Sequence, residues 1–459
     1  MAFAVGLALL LSGAPFAPQN SAEQYFALGI RYTQEGDHAR AQTAFLKALE
    51  LQPNSIPILN NLGVNALHRG DEGAAARYFR RTLTLAPDDA NALFNLGLIE
   101  LKHKRFPDAA RHLKKAVAQH PRDMAMLQGL LAAQLELGER GGVDETVRRL
   151  LDLAPAEPGF FVQLAEPLAR KGFHQTALRV VERARQSWPD SAELQYLLGD
   201  VYEGLDHYDK AVEAYQAAVR LAPEKEEYWF ALGYEFLSHR NFDLAEKIFT
   251  SAISRLPRRP KLHLGLSAVY IARDQFEEAI AALRAAINAD PESDAGYFFL
   301  GQAFVFLSAH ESLFAGDWLG EKFKKYMELQ PGNPYPYYLY AATLLRPAQG
   351  TNPDRREAVR LLNKALDLDP KFPEAHFELG KIYFDERNYP QAIGAYERAV
   401  SLRPTFAEAY YRLSRAYAMV GNQKKAQEAA EQSVKQRKAL ETSVLQREKE
   451  ILRFVYTLK

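Results

Sequence analysis

EEYWFALGYEFLSHRNFDLAEKIFTSAISRLPRR, residues 226–259, reads as two helices joined by a turn. Trp229, Leu232, Gly233 and Phe236 take positions 4, 7, 8 and 11, the spacing that collects side chains on one helical face. Arg240–Asn241 interrupt that face, and Ala245, Phe249 and Ala252 resume it at positions 20, 24 and 27. Gly233 carries no side chain, so the second helix can approach closely. The order small, large, small on the second helix is the profile of a ridge set into a groove. Pro257 closes the segment, because proline lacks an N–H and disfavours helix in the residue before it.

The segment is one of a series. Prolines stand 34 residues apart at Pro53, Pro87, Pro121, Pro155, Pro189, Pro223, Pro257 and Pro291, and the spacing then runs 40, 39 and 34 to Pro331, Pro370 and Pro404. Position 8 is glycine at Gly29, Gly63, Gly97, Gly199, Gly233, Gly301 and Gly380. Position 20 is alanine in ten units, from Ala41 through Ala211 to Ala426. Each unit need bury its apolar face only against its neighbours, so 459 residues require no division into globular cores.

These residues, from about Ala22 to Lys435, resemble the tetratricopeptide repeat family. The resemblance implies an all-α fold: a right-handed superhelical solenoid of about twelve helix-turn-helix units with a C-terminal capping helix. It also implies that the first helices line a concave groove, where such proteins usually bind peptides or protein segments.

Composition narrows the function. Lys+Arg and Asp+Glu number 57 each, so the total offers no pull toward nucleic acid, and none is expected as partner. There is no cysteine, which removes disulfides, thiolate catalysis and cysteine-bound zinc together. The 11 histidines are scattered, many near turns (His38, His103, His174, His207, His239), with no i, i+4 pair and no HExxH. No G-x-S-x-G and no phosphate-binding glycine loop occurs. The expectation is a non-catalytic chain with no cofactor and no metal.

Four segments are expected. Residues 1–21 contain an apolar run, Ala2 to Ala17, that is signal-like although no Lys or Arg precedes Arg31. This points to export, to the periplasm or envelope, with a cytoplasmic chain as the alternative; the run is too short to span a membrane, so no integral span is expected. Residues 22–157 and 158–435 form two arms. Between them Leu131 and Val143 replace the usual glycine and alanine, Gly141-Gly142 loosen a turn, and Pro167 should kink a first helix. Extended turns near 307–320 and 346–356 should emerge on one face. Residues 436–459 should cap the stack, since Val434, Leu440, Val444, Ile451, Val455 and Leu458 draw an apolar stripe.

Positions 5, 9 and 12 of each first helix lie about 100° around from the core stripe and should face the groove. There the second arm offers Tyr196, Phe230, Tyr234, Phe298, Tyr338, Phe377, Phe384 and Tyr411, with Phe299 and Tyr335 beside them. Gln302, Lys381 and Arg415 add polar groups that could set register. Chaperone-binding members clamp a carboxylate with basic and amide side chains. Here the first arm's Phe26, Ile30, Val64 and Leu98 cannot do so, and only Lys381, Arg412 and Arg415 gather positive charge. The leading expectation is an adaptor that holds an extended segment of another protein in this groove. The alternatives are a scaffold acting through its convex face, ends or self-association, and a glycan-binding subunit of polysaccharide export.

Overall fold

The computed structural model describes residues 21–306, 318–346 and 354–441, and within them 24 α-helices and no strand. The chain forms two compact units, Met1–Pro189 and Asp190–Lys459. The first contains α1 (Ala22–Gln34), α2 (His38–Leu51), α3 (Ile56–His68), α4 (Glu72–Leu85), α5 (Ala90–Lys102), α6 (Phe106–Gln119), α7 (Met124–Leu137), α8 (Arg140–Asp152), α9 (Pro158–Arg170) and α10 (His174–Arg185). The second contains α11 (Ala192–Glu203), α12 (Tyr208–Leu221), α13 (Glu226–Ser238), α14 (Phe242–Arg255), α15 (Pro260–Ala272), α16 (Phe276–Ala289), α17 (Asp294–Phe306) and α18 (Trp318–Leu329). It continues with α19 (Pro334–Leu344), α20 (Arg355–Leu368), α21 (Pro373–Asp385), α22 (Tyr389–Leu402), α23 (Ala407–Met419) and α24 (Gln423–Glu441). Odd-numbered helices are the first of each pair, and even-numbered ones the second.

Within ten of the pairs the turn is made by one residue, at position 15, in the left-handed region. It is glycine at Gly36, Gly70, Gly138, Gly172 and Gly421, but Lys104, Asp206, Arg240, Asp274 and Arg387 also adopt it. The N–H after it then reaches back to the first helix, as Asp37 does to the Tyr32 carbonyl (2.8 Å) and Asn241 to that of Phe236 (2.8 Å). This satisfies a terminal carbonyl that the helix leaves open. The core follows from the pattern: Ala41, Ala75, Ala211 and Ala245 are fully buried, as are the position-24 rings Phe45, Phe79, Tyr215, Phe249 and Tyr396.

The boundary prolines leave a second open carbonyl, and the two units close it differently. In the first unit an arginine from the next second helix does so: Arg81 donates to Pro53 (2.6 Å) and Arg149 to Pro121 (2.7 Å). In the second unit a polar-tipped ring six residues on does so. Trp229 donates to Pro223 (2.9 Å), Tyr297 to Pro291 (2.9 Å) and Tyr337 to Pro331 (3.1 Å). His263 and His376 stand likewise against Pro257 (3.0 Å) and Pro370 (3.2 Å).

Several expectations shift. The compact units part after Pro189, one repeat later than the joint placed at 157/158. Pro167 does not break α9, because it sits in the last turn and forfeits one bond, while Lys171 still donates to its carbonyl (3.1 Å). No separate helix begins at 436: α24 runs unbroken to Glu441, since Gln423–Glu441 contains neither glycine nor proline. Residues 1–20, 442–459 and most of both extended turns (307–317 and 347–353) lie outside the described residues. Among the described residues no helix is long and apolar enough to cross a membrane.

Candidate functional site

The thirteen residues expected to line the groove of the second unit have different fates. Phe230, Tyr234, Phe299, Tyr338 and Phe377 are buried, so they are core rather than free wall. For Phe230 and Tyr234 the reason is local. In α13 every residue from 230 to 237 is buried, because α15 packs down on the same ring that α13 does. A methyl on Gly233 would lie 2.6 Å from Cζ of Phe249, and one on Gly265 would lie 2.5 Å from the same atom. Two successive first helices therefore press one ring from both sides. Phe230 completes the cluster, its ring centroid 5.8 Å from that of Phe249, with the Lys261 ammonium 4.6 Å above its face. Phe377 is held in the same manner by Tyr396 (5.9 Å) and Phe406 (4.8 Å).

The surface opens at α17. Phe298 is 37% and Val305 38% exposed, with half-buried Gln302 between them; the i, i+4, i+7 spacing makes one outward stripe. The rings continue onto the next repeats. Phe298 lies 6.1 Å from Tyr335, Tyr335 6.1 Å from Tyr338, and Tyr338 5.4 Å from Phe372, edge to face. The ladder crosses α17, α19 and the start of α21, shallow at Phe298 and deep at Tyr338. Burial pushes the Tyr335 hydroxyl far above the usual tyrosine range, and does the same to Tyr338, so both remain neutral hydrogen-bonding groups. Gly301 keeps α17 and α19 together, since a side chain there would strike Leu339 and approach Tyr335 to 3.2 Å. Val305 belongs to this surface although it is not among the thirteen. Its signal was available, seven residues after Phe298 at position 12.

The remaining groove residues form smaller clusters. Tyr196 is half-buried and stacked on Tyr228 (4.9 Å); burial, then Asp200 and Glu203, raise its hydroxyl. Lys381 pairs with buried Glu378 (2.8 Å) and lies over the Phe377 ring (5.7 Å). Tyr411 (43% exposed) and exposed Arg415 share the open face of α23, with the Arg415 guanidinium 5.3 Å from the Phe384 ring. Arg412 is engaged by Glu408 (3.1 Å), so the positive cluster is largely neutralised by its own helices. The arrangement can bury apolar side chains along three helices and offers hydrogen bonds at their edges. Among the described residues no group of three His, Asp or Glu is placed to hold a metal.

Family profiles described as tetratricopeptide repeat match residues 26–90, 60–123, 94–158 and 162–226, then 236–298 and 407–439. One described as TPR repeat matches 356–386 and 380–421. No curated protein matches the chain. Among solved structures, Naa15/Naa10 bound to HypK is 15% identical, with 89% of this chain and 67% of that one covered and a TM-score of 0.44. Pseudomonas aeruginosa pilF is 22% identical, covering 45% and 94%, at a TM-score of 0.34. Yeast Tom70 is 14% identical, covering 95% of both chains, also at 0.34. Likenesses at these identities and TM-scores carry no argument about what the chain binds.

Proposed function

The chain belongs to the tetratricopeptide repeat family, and from that premise we propose that it is a protein-interaction adaptor that receives an extended, partly apolar segment across α17, α19 and α21. The observation that carries this reading is the exposed stripe of Phe298, Gln302 and Val305, continuous with the Tyr335 and Tyr338 rings, in a unit whose neighbouring first helices are sealed. Aromatic rings give contact area with few rotors to freeze, and their graded depth here provides a floor as well as a rim. Half-buried Gln302, between the two exposed side chains of the stripe, would fix the register of the bound backbone. The adaptor is non-catalytic on this reading, and export to the periplasm or envelope is the setting that the Ala2–Ala17 run favours.

The test is site-specific photocrosslinking. A photoreactive phenylalanine analogue at 298 is compared with one at 364, where Lys364 is exposed on the second helix α20. Both variants are expressed in cells of the source, and adducts are read by mass spectrometry. A defined adduct from 298, absent from 364 and lost on adding Val305→Ser, supports the reading. Equal adducts from both positions, or adducts from 364 alone, would refute it. Phe230→Ser and Tyr234→Ser are unsuitable probes, because both rings are core.

A further inference from the structure

A second surface lies on the other helices of the first unit. On α2, α4 and α6, positions 22, 25, 26, 29 and 30 of each repeat are exposed, forming an outward stripe opposite the buried alanines and rings. That stripe is strongly biased. α4 presents Arg77, Arg80 and Arg81, and α6 presents Arg111, Lys114 and Lys115. α2 adds Lys47, and Glu50 is the lone acid on the fifteen positions. Three leucines accompany them: Leu46 (36% exposed), Leu51 (53%) and Leu85 (39%). The zero net charge of the whole chain conceals this, because acids collect elsewhere: α11 and α13 carry Glu193, Asp200, Glu203, Glu226, Glu227 and Glu235 and no Lys or Arg.

Part of the bias has a structural cause. Arg81 caps the Pro53 carbonyl and Arg111 pairs with Asp108 (2.5 Å). Arg77, Arg80 and Lys114 occupy the solvent side with no acid within ion-pair distance among the described residues, and no capping role explains them. The geometry points to an anionic bilayer surface as the partner of this face. Clustered Lys and Arg are drawn to anionic headgroups, and leucines at their edge can enter the interface. Among the described residues of the first unit, the exposed large apolar side chains are all leucine. Single-stranded nucleic acid would want exposed aromatic rings to stack its bases, and this face has none. This inference is independent of the surface on α17.

The experiment is vesicle co-sedimentation of the full chain. One set of vesicles is phosphatidylcholine alone, the other phosphatidylcholine with about a third phosphatidylglycerol, each at low and physiological salt. Expected are preferential binding to the anionic vesicles, weakening as salt rises, and a loss of at least tenfold in Arg77/Arg80/Lys114→Glu. The matched reversal Lys247/Arg255/Lys364→Glu in the second unit should bind as wild type does. All six side chains are exposed, and circular dichroism checks that both variants fold. Equal binding to both vesicle types, or full binding by the first variant, overturns the inference, since the apolar N-terminal run alone would then carry it. Displacement from anionic vesicles by a stoichiometric amount of short RNA or duplex DNA overturns it in favour of nucleic acid.

Discussion

Gly265→Ala should destabilise the second unit although alanine is the better helix former. In an unobstructed helix the change gains about 0.8–1 kcal/mol. At 265 the new carbon would lie 2.5 Å from Cζ of Phe249, about 1 Å inside an ordinary carbon–carbon contact. The ring cannot retreat, because it is fully buried and Gly233 already sits against its other face. Overpacking of this kind costs about 1–3 kcal/mol, so the net effect should be a loss of about 1 kcal/mol. Gly394→Ala is the internal standard: it lies exposed within α22 with no atom within 4 Å of the new carbon, and should gain the full propensity term. Phe249→Leu removes the obstructing end of the ring, and Gly265→Ala should turn neutral or stabilising in that background. Urea unfolding of wild type, the three variants of the cycle and Gly394→Ala, followed by hydrogen exchange on α13–α16 and on α21–α22, would read each change locally, since helical arrays can unfold piecewise. The reasoning fails if Gly265→Ala raises the midpoint as Gly394→Ala does. It fails equally if the loss persists unchanged in the Phe249→Leu background.

Two other predictions concern polar groups in the core. Burial raises the hydroxyls of Tyr215, Tyr335 and Tyr338, and pushes Tyr326 up to about 12. A group raised on folding contributes stability that is whole below its unfolded value near 10 and lost as pH climbs through the folded one. The second unit should therefore be insensitive to pH just below 10 and weaken steadily from 10 to beyond 12; a near-ultraviolet tyrosinate titration showing these rings ionising near 10 in a folded protein would contradict this. Thr82 is fully buried in α4 and its hydroxyl has no hydrogen-bond partner among the described residues, so Thr82→Val should stabilise the first unit by about 1 kcal/mol in urea unfolding, and a loss of that size would show that the hydroxyl is satisfied.

Helix pairing was legible in the sequence, because the 34-residue period, the position-8 glycines and the position-20 alanines are local signals repeated many times. Depth was not. Phe230 and Phe298 share position 5, yet one is buried and the other open. What separates them is not in their own helices but in the next repeat, where Gly265 lets α15 settle on Phe249. The left-handed turn residue escaped a reading by glycine, since Lys104, Asp206, Arg240, Asp274 and Arg387 adopt that conformation under tertiary constraint. The breaks expected at Leu131, Val143 and Pro167 rested on departures from a pattern, and a helix end tolerates proline where a helix centre does not.

The parting of the compact units after Pro189 has a signature of its own, one that joins the fold to the charged face. After the boundary prolines of the first unit, the sixth residue is Leu59, Leu93, Leu127 or Phe161, which cannot reach back to cap a carbonyl. The twenty-eighth is Arg81, Lys115, Arg149 or Arg183, and in the structure Arg81 and Arg149 do cap it. From Pro189 onward the sixth residue becomes Gln195, Trp229, His263 and Tyr297, and the twenty-eighth after Pro189, Pro223 and Pro257 is Ala217, Ser251 or Ala285. The switch falls at the residue where the compact units part. The proline carbonyl that the turn leaves open is thus capped by an arginine of the next second helix at two boundaries of the first unit, and by a ring six residues on in the second. The arginine cap places a cation on the exposed side of every second helix it serves, so a capping requirement already seeds the basic face. Arg77, Arg80 and Lys114, which cap no carbonyl among the described residues, extend that seed into a surface, and it is their charge, rather than that of Arg81, that separates a docking function from a structural one.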